Sequence, residues 1–434
     1  MRPFRLACLT YVSLALPGST LGLLWPPMSR SVHEPLAALG IFIVFGTAAS
    51  VLAGLATGPM LSRLGAGPVL AGGVALVATA LGAESVAPSF LVLVCGSVIF
   101  SAGFGAADTA VNAYAAGHLG PRDTNWLHAS YGLGAMLGPL VVTGLLSQGL
   151  GWRWAMACLA LAQGALGVHL LARAARWALP PAAPPAHAAA PVTPTAPVTP
   201  TALVTPAVTP AAPVERGNQG PAAVGARRAV GGGGPGWRPL AALVATLVFC
   251  ALETGAESAA GTWAFVYLNA GEHMGPAAAG AAVSAYWATM FVGRLVMGPV
   301  AERTGAGPAL GLATAGVVGG AVVVTLAGGP VAAVAGLALV GLAAAPIFPL
   351  VNATTARRHG AGAAVGPDRA VALQVGASTV GGAGVPALAG LAIGGGHPGA
   401  LGPVLLGASL AMCAMMALAA WPGSRALWTG TARA

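Results

Sequence analysis

The chain has no lysine and only ten acidic residues in 434, and just 7% of it is charged. A water-soluble domain carries roughly a quarter of its residues as charge, so a soluble enzyme or soluble binding module is excluded. Its five cysteines, Cys8, Cys95, Cys158, Cys250 and Cys413, are far apart and lie in apolar runs. With no C-x-x-C pair and no Cys/His cluster, they suggest neither a metal site nor a disulfide framework. No cofactor is expected. No nucleophile-and-base arrangement or phosphate-cradling loop supports a membrane-embedded enzyme. All 19 basic residues are arginine, giving a formal charge of +9. They are scattered over short loops and form no basic face, so no nucleic-acid partner is expected.

What the chain has is apolar length. It is 56% hydrophobic, with a mean hydropathy of +0.81. Runs of about 18 or more apolar residues follow one another, each able to cross hydrocarbon roughly 30 Å thick. The 65 glycines allow close helix packing in lipid, and the short alternating segments of a β-barrel are missing. The expected fold class is an all-α polytopic membrane protein with about twelve spans, at 6–26, 36–57, 68–87, 91–115, 127–148, 152–172, 239–268, 277–298, 308–328, 331–354, 370–393 and 400–421. Residues 1–172 form one six-helix bundle, and residues 238–434 form a second with a short tail. Between them, 173–237 contains the near-repeat PVTPTAPVTPTALVTP. Its prolines remove amide donors, so a disordered cytoplasmic linker is expected there. Breaks within spans are expected at Pro26 and Pro27, Pro139, Pro346 and Pro349, and Pro386.

With the N-terminus in the cytoplasm, sixteen arginines fall inside, Arg30 and Arg153 fall outside, and Arg294 lies within a span. That asymmetry predicts a multi-pass protein of the plasma (inner) membrane with both termini cytoplasmic. No A-x-A cleavage site follows the first span, so no removable signal peptide is expected. The working unit is expected to be a monomer in the lipid bilayer.

The chain also repeats itself. Residues 58–70 read GPMLSRLGAGPVL and residues 298–310 read GPVAERTGAGPAL, an offset of 298 − 58 = 240. Each copy is an Arg-bearing turn between apolar runs, and a repeated turn implies a repeated bundle.

Charges inside spans mark function because each acid near mid-membrane costs about 2.5–3.5 kcal/mol. Three are expected inside spans, Asp108, Glu253 and Glu257. Asp108 points to proton or cation coupling with solute binding, or to a structural pair. Glu253 and Glu257 are four apart on one helix face. As a close pair they suit a proton carrier; otherwise only one of them points inward. Asn112 follows Asp108 by one turn, and an amide beside a carboxylate can grip a hydroxyl-rich solute. Asn352 is its counterpart at the 240 offset. His128 and Tyr131 open the fifth span within LHASYGLGAMLGPL. His128 either moves protons or caps a carbonyl at the cytoplasmic end. Gln374, Ser378 and Thr379 hold the comparable stretch of the eleventh span. Trp263, Tyr267, Tyr286 and Trp287 are candidate aromatic walls or plain packing. Arg294 is read as a buried guanidinium with a structural or gating role, with Glu302 two turns further along its helix.

These features resemble the major facilitator superfamily. The turn GPMLSRLGAGP is similar to its loop between helices 2 and 3, with Gly58, Arg63 and Gly65 matched and Ser62 where an acid is expected. In the second copy Gly298, Glu302, Arg303 and Gly305 all match. The resemblance implies that this loop latches one conformational state by charge pairing, here mostly through the second copy. The stretch Gly-x-Gly-x-x-Asp-Thr-x-x-Asn from Gly103 to Asn112, followed by Leu-His-x-x-x-Gly-x-Gly-Ala-x-x-Gly-Pro, resembles the fucose permease and sodium-dependent glucose transporter-like branches. It implies coupling and sugar recognition at Asp108, with Asn112 and His128 beside it. The acid that fucose permeases carry in helix 1 is missing. The resulting expectation is proton-coupled symport of a sugar or similar polar small molecule, with Na+ as the other candidate ion. The alternative is proton-coupled export of a drug or natural product. Its support is Gly134-x-x-x-Gly138-Pro139, which resembles the antiporter motif but lacks the trailing glycine pair, since Val142 and Thr143 stand there.

Overall fold

The computed structural model describes residues 3–174, 237–358 and 365–419, and among these all regular structure is helical. The first half holds α1 (Pro3–Gly18), α2 (Leu21–Ser31), α3 (Leu39–Leu64), α4 (Ala66–Ser85), α5 (Phe90–His118), α6 (Pro121–Ser147) and α7 (Trp152–Leu171). The second holds α8 (Trp237–Val266), α9 (Pro276–Thr304), α10 (Ala306–Thr325), α11 (Pro330–Ala344), α12 (Ile347–Arg358), α13 (Pro367–Gly394) and α14 (Leu401–Ala419). Ten helical segments are long and apolar enough to cross a membrane, and the α1–α2 pair, bent by 42°, makes an eleventh. The 29-residue α9, which carries Arg294, is not among these. Most of the expected linker (175–236) and the tail after 419 lie outside the described residues.

The break in the first span falls at Gly18–Thr20, and Pro26 and Pro27 stay inside α2. Pro17 has no N–H for the Ser13 carbonyl. That carbonyl instead accepts the side-chain amide of Gln163 from α7. Ser19 and Thr20 then turn their hydroxyls back onto the carbonyls of Leu16 and Pro17, at 3.0 and 2.8 Å, which competes with helix continuation. Pro139 and Pro386 sit inside continuous helices, whereas Pro346 lies at the break between α11 and α12.

The two halves are wired alike. In the first, α1 packs on α6, α4 on α5 and α7, and α3 on α5. In the second, α8 packs on α13, α10 on α11 and α14, and α9 on α11, which is the same scheme. The halves meet along two seams that exchange under the repeat, α6 against α9 and α3 against α13, and also where α2 meets α8. The repeated turns share one backbone: Gly65 and Gly305 have φ of +80° and +87°, a region that disfavours any side chain.

Close approaches between the halves gather toward one end, the one carrying the segment 32–38. There Gly22 abuts the Thr262 backbone, Gly280 abuts Thr143, Gly40 abuts Ala387 and Gly394 abuts Ala37. Midway along the α6–α9 contact, Gly132 also meets the Phe291 ring. Large apolar side chains cover the outside; on α7 alone, Leu161, Val168 and Leu171 are 75, 71 and 63% exposed. Such a surface is stable only in contact with lipid.

Candidate functional site

The polar residues of α5 and α6 converge on a residue absent from the sequence-derived candidates. Tyr11, in α1, is 1% exposed and donates its hydroxyl to Asp108 Oδ1 at 2.8 Å. Its ring lies 5.7 Å from His128 and 6.0 Å, edge-on, from Tyr131. Asn112 donates its amide to the Asp108 carbonyl at 3.0 Å and stands within reach of the Tyr11 hydroxyl. Asp108 and His128 feel each other's charge. α6 begins at Pro121, six residues before the expected span, so His128 sits two turns inside the helix rather than at its end. The cluster therefore joins a carboxylate, a phenol and an imidazole from three helices, a chain of groups that can pass or hold a proton.

Gly134 and Gly138 in α6 explain how α1 comes so close. A Cβ at either position would strike the α1 backbone, at Val12 and Leu16 respectively. The motif that suggested export is thus also the seat of α1.

A cavity of about 280 Å³ opens beside this cluster, toward the break in the first span. Tyr131 and Phe104, whose rings are 6.4 Å apart, belong to its wall, as does Trp287 from the second half. At its far side is Glu84 of α4, a fourth acid inside a span. The count of three intramembrane acids is corrected to four: Glu84 is only 2% exposed, and its Oε1 has no hydrogen-bond partner. The sequence signal was present, since residue 84 lies inside the expected third span.

The second half brings together a different set. Glu253 is 2% exposed; Thr254 donates to its Oε2 at 2.9 Å, and its Oε1 is without a partner. Glu253 and Glu257 act on each other, and Arg294 acts on both. Tyr286 donates its hydroxyl to the Glu257 carbonyl at 2.9 Å. Arg294 is exposed, which corrects its reading as a buried guanidinium, and its influence reaches the α8 glutamates and His128. Gln374 is fully buried, accepts the Thr355 hydroxyl at 3.0 Å and leaves its Nε2 unpaired. Asn352 has an unpaired Oδ1.

Trp263 stands apart from the cavity. It is fully buried, its indole N–H donates to the Pro386 carbonyl at 2.8 Å, and Gly390 makes room for its ring. It pins α8 to α13, and Trp287 takes the wall position instead. The turn residues Arg63, Glu302 and Arg303 are exposed, and Ser62 donates to the Pro59 carbonyl at 2.8 Å. Gly58 and Gly298 lie in the last turns of α3 and α9. Among the described residues no cluster of His, Cys, Asp or Glu has the makings of a metal site.

No curated protein matches the chain. Solved structures do. A point mutant of the nucleoside transporter NupG superposes with a TM-score of 0.68 at 14% identity, covering 95% of this chain and 98% of that one. A bacterial homolog of the human lysosomal transporter Spinster, inward-facing and unoccupied, gives 0.61 at 12%, covering 99% and 97%. A point mutant of the E. coli fucose:proton symporter FucP gives 0.56 at 14%, covering 96% and 97%. At these identities the likeness is one of fold. The sequence profile of the Major Facilitator Superfamily matches residues 7–386, from α1 through both seams to α13, and the chain belongs to that family.

Proposed function

We propose that this transporter works by alternating access and carries a sugar or similar polar organic solute in symport with protons. The observation that carries the reading is the contact of Tyr11 with Asp108 at the meeting of α1, α5 and α6. A carboxylate at that junction is sensitive to any movement of α1, so its protonation can follow solute occupancy. His128 supplies a second proton site and Asn112 a donor and acceptor for solute hydroxyls. Glu253, Glu257 and Arg294 form the matching charged set across the seam, with Gln374 and Asn352 as further polar contacts.

We read the close contacts at the 32–38 end as the closed side of one of the two alternating states. With both termini cytoplasmic, the contact end faces outward and this state opens to the cytoplasm. Arg63, Glu302 and Arg303 are exposed in this state, and they act as the latch of the opposite one. Among proteins of this fold, FucP is named as a fucose:proton symporter and NupG as a nucleoside transporter; both solutes are rich in hydroxyls.

The test is solute-induced pH change in lightly buffered, de-energised cells, across a panel of sugars and polyols. One solute is expected to alkalinise the medium. Asp108→Asn is expected to abolish that signal and active accumulation while leaving exchange. Unimpaired accumulation in the mutant would sink the role of Asp108. A sodium-dependent signal in its place would replace the proton as driving ion.

A further inference from the structure

We propose that the cavity beside the break in the first span is a binding site for an organic ammonium ion, anchored by Glu84. The inference goes beyond the coupling role given to Asp108 and does not depend on it. Three observations carry it.

The first is an unanswered carboxyl group. Glu84 is almost completely buried, and its Oε1 has no hydrogen-bond partner. Among the described residues no charged side chain acts on it. Arg153 is used up nearby on the carbonyls of Ser85 and Ala87, at 3.2 and 2.9 Å. An ionised carboxylate without a partner is too costly to bury. Glu84 therefore carries either a proton or a bound cation, and the described residues supply no cation.

The second is the wall. Phe42, Phe100, Phe104, Tyr131 and Trp287 all line the cavity, from α3, α5, α6 and α9. Ring faces attract cations, and more strongly where water is excluded. A volume of about 280 Å³ is too large for a bare metal ion and suits a small organic one.

The third is the orientation of two lining hydroxyls. Ser19 and Thr20 line the cavity but give their protons to carbonyls of their own helix. What they offer inward is oxygen lone pairs. Together with Glu84 these oxygens suit an alkylammonium, which only donates, while Trp287 adds one unpaired indole N–H to the wall.

The experiment uses purified full-length protein in nanodiscs, titrated with benzylamine, which is charged at neutral pH, and with benzyl alcohol, which has the same ring and no charge. Binding is read by calorimetry and by tryptophan emission. The expected result is a preference of about tenfold or more for the amine, as for a buried charge pair. That preference should vanish in Glu84→Gln, persist weakened in Glu84→Asp, and remain in Asp108→Asn. Thermal melting checks that each variant is folded. If Glu84→Gln does not fold, the wild-type preference and Glu84→Asp still decide. The proposal is overturned by equal affinity for the two ligands, by no binding of the amine at millimolar concentration, or by an amine preference that survives Glu84→Gln. A preference lost only in Asp108→Asn also overturns it, by moving the ammonium to the other carboxylate.

Discussion

The Tyr11 hydroxyl is the smallest group on which the proposed coupling turns. It is the link from α1 to Asp108, and its ring also holds His128 and Tyr131 in place. Tyr11→Phe keeps the ring and removes only the donor. Losing a hydrogen bond to a charged acceptor costs about 1.5–3 kcal/mol, so the melting temperature should fall while the protein still folds, and initial rates of solute-driven alkalinisation should fall about tenfold or more. An unchanged rate in Tyr11→Phe would detach α1 from coupling. Asp108, Asn112, His128 and Tyr131 were legible because an acid in an apolar run is expensive and helical spacing shows what shares its face. Tyr11 was not, because a tyrosine in a span costs little and its partner is 97 positions away. Glu84 lies inside an expected span but close to its end. It stands near the end of α4, where an acid resembles a solvated boundary residue, and only packing reveals that Gly96 closes over it.

At the scale of the helix, the break in α1 is held by a side chain from another helix. Gln163 supplies to the Ser13 carbonyl the donor that Pro17 lacks. In hydrocarbon no water can replace it, so Gln163→Leu should destabilise the protein by about 1–3 kcal/mol, read as a lowered melting temperature in detergent. Pro17→Ala returns the missing N–H to the helix. In that background the Gln163→Leu penalty should shrink, and a double-mutant cycle measures the coupling. Additive effects would mean that Gln163 acts through packing and not through the freed carbonyl. Proline content alone did not locate this break. Pro26 and Pro27 are the more conspicuous pair, yet Trp25 and Met28 are fully buried beside them and hold α2 together. Pro17 breaks the span because Gly18, Ser19 and Thr20 follow it, a glycine and two hydroxyls that satisfy the backbone locally.

For the whole molecule, the doubled turn in the sequence announces a repeat, and the helix contacts follow the same scheme in the two halves. The seams were not legible, because they are made where glycines admit a close neighbour, and a glycine in an apolar run does not say which helix it will meet. Those seams bear on mechanism. If the halves rock as rigid bodies, the contacts at the 32–38 end must open once in each cycle. Gly40 and Ala387 offer a way to prevent that. A Cβ at Gly40 would lie 3.3 Å from the Ala387 Cβ, a few tenths of an ångström short of the range of about 3.5–4.5 Å found across disulfides, which a small shift of the helices supplies. In a background with the five native cysteines replaced, Gly40→Cys with Ala387→Cys should cross-link on mild oxidation. Transport should then stop and return on reduction, while each single cysteine variant stays active under both conditions. Solute binding from the opposite end should survive the cross-link, since the cluster around Asp108 is not displaced by it. Full transport by the oxidised double variant would mean that this seam never opens, and that solute moves through the protein without the two halves exchanging sides.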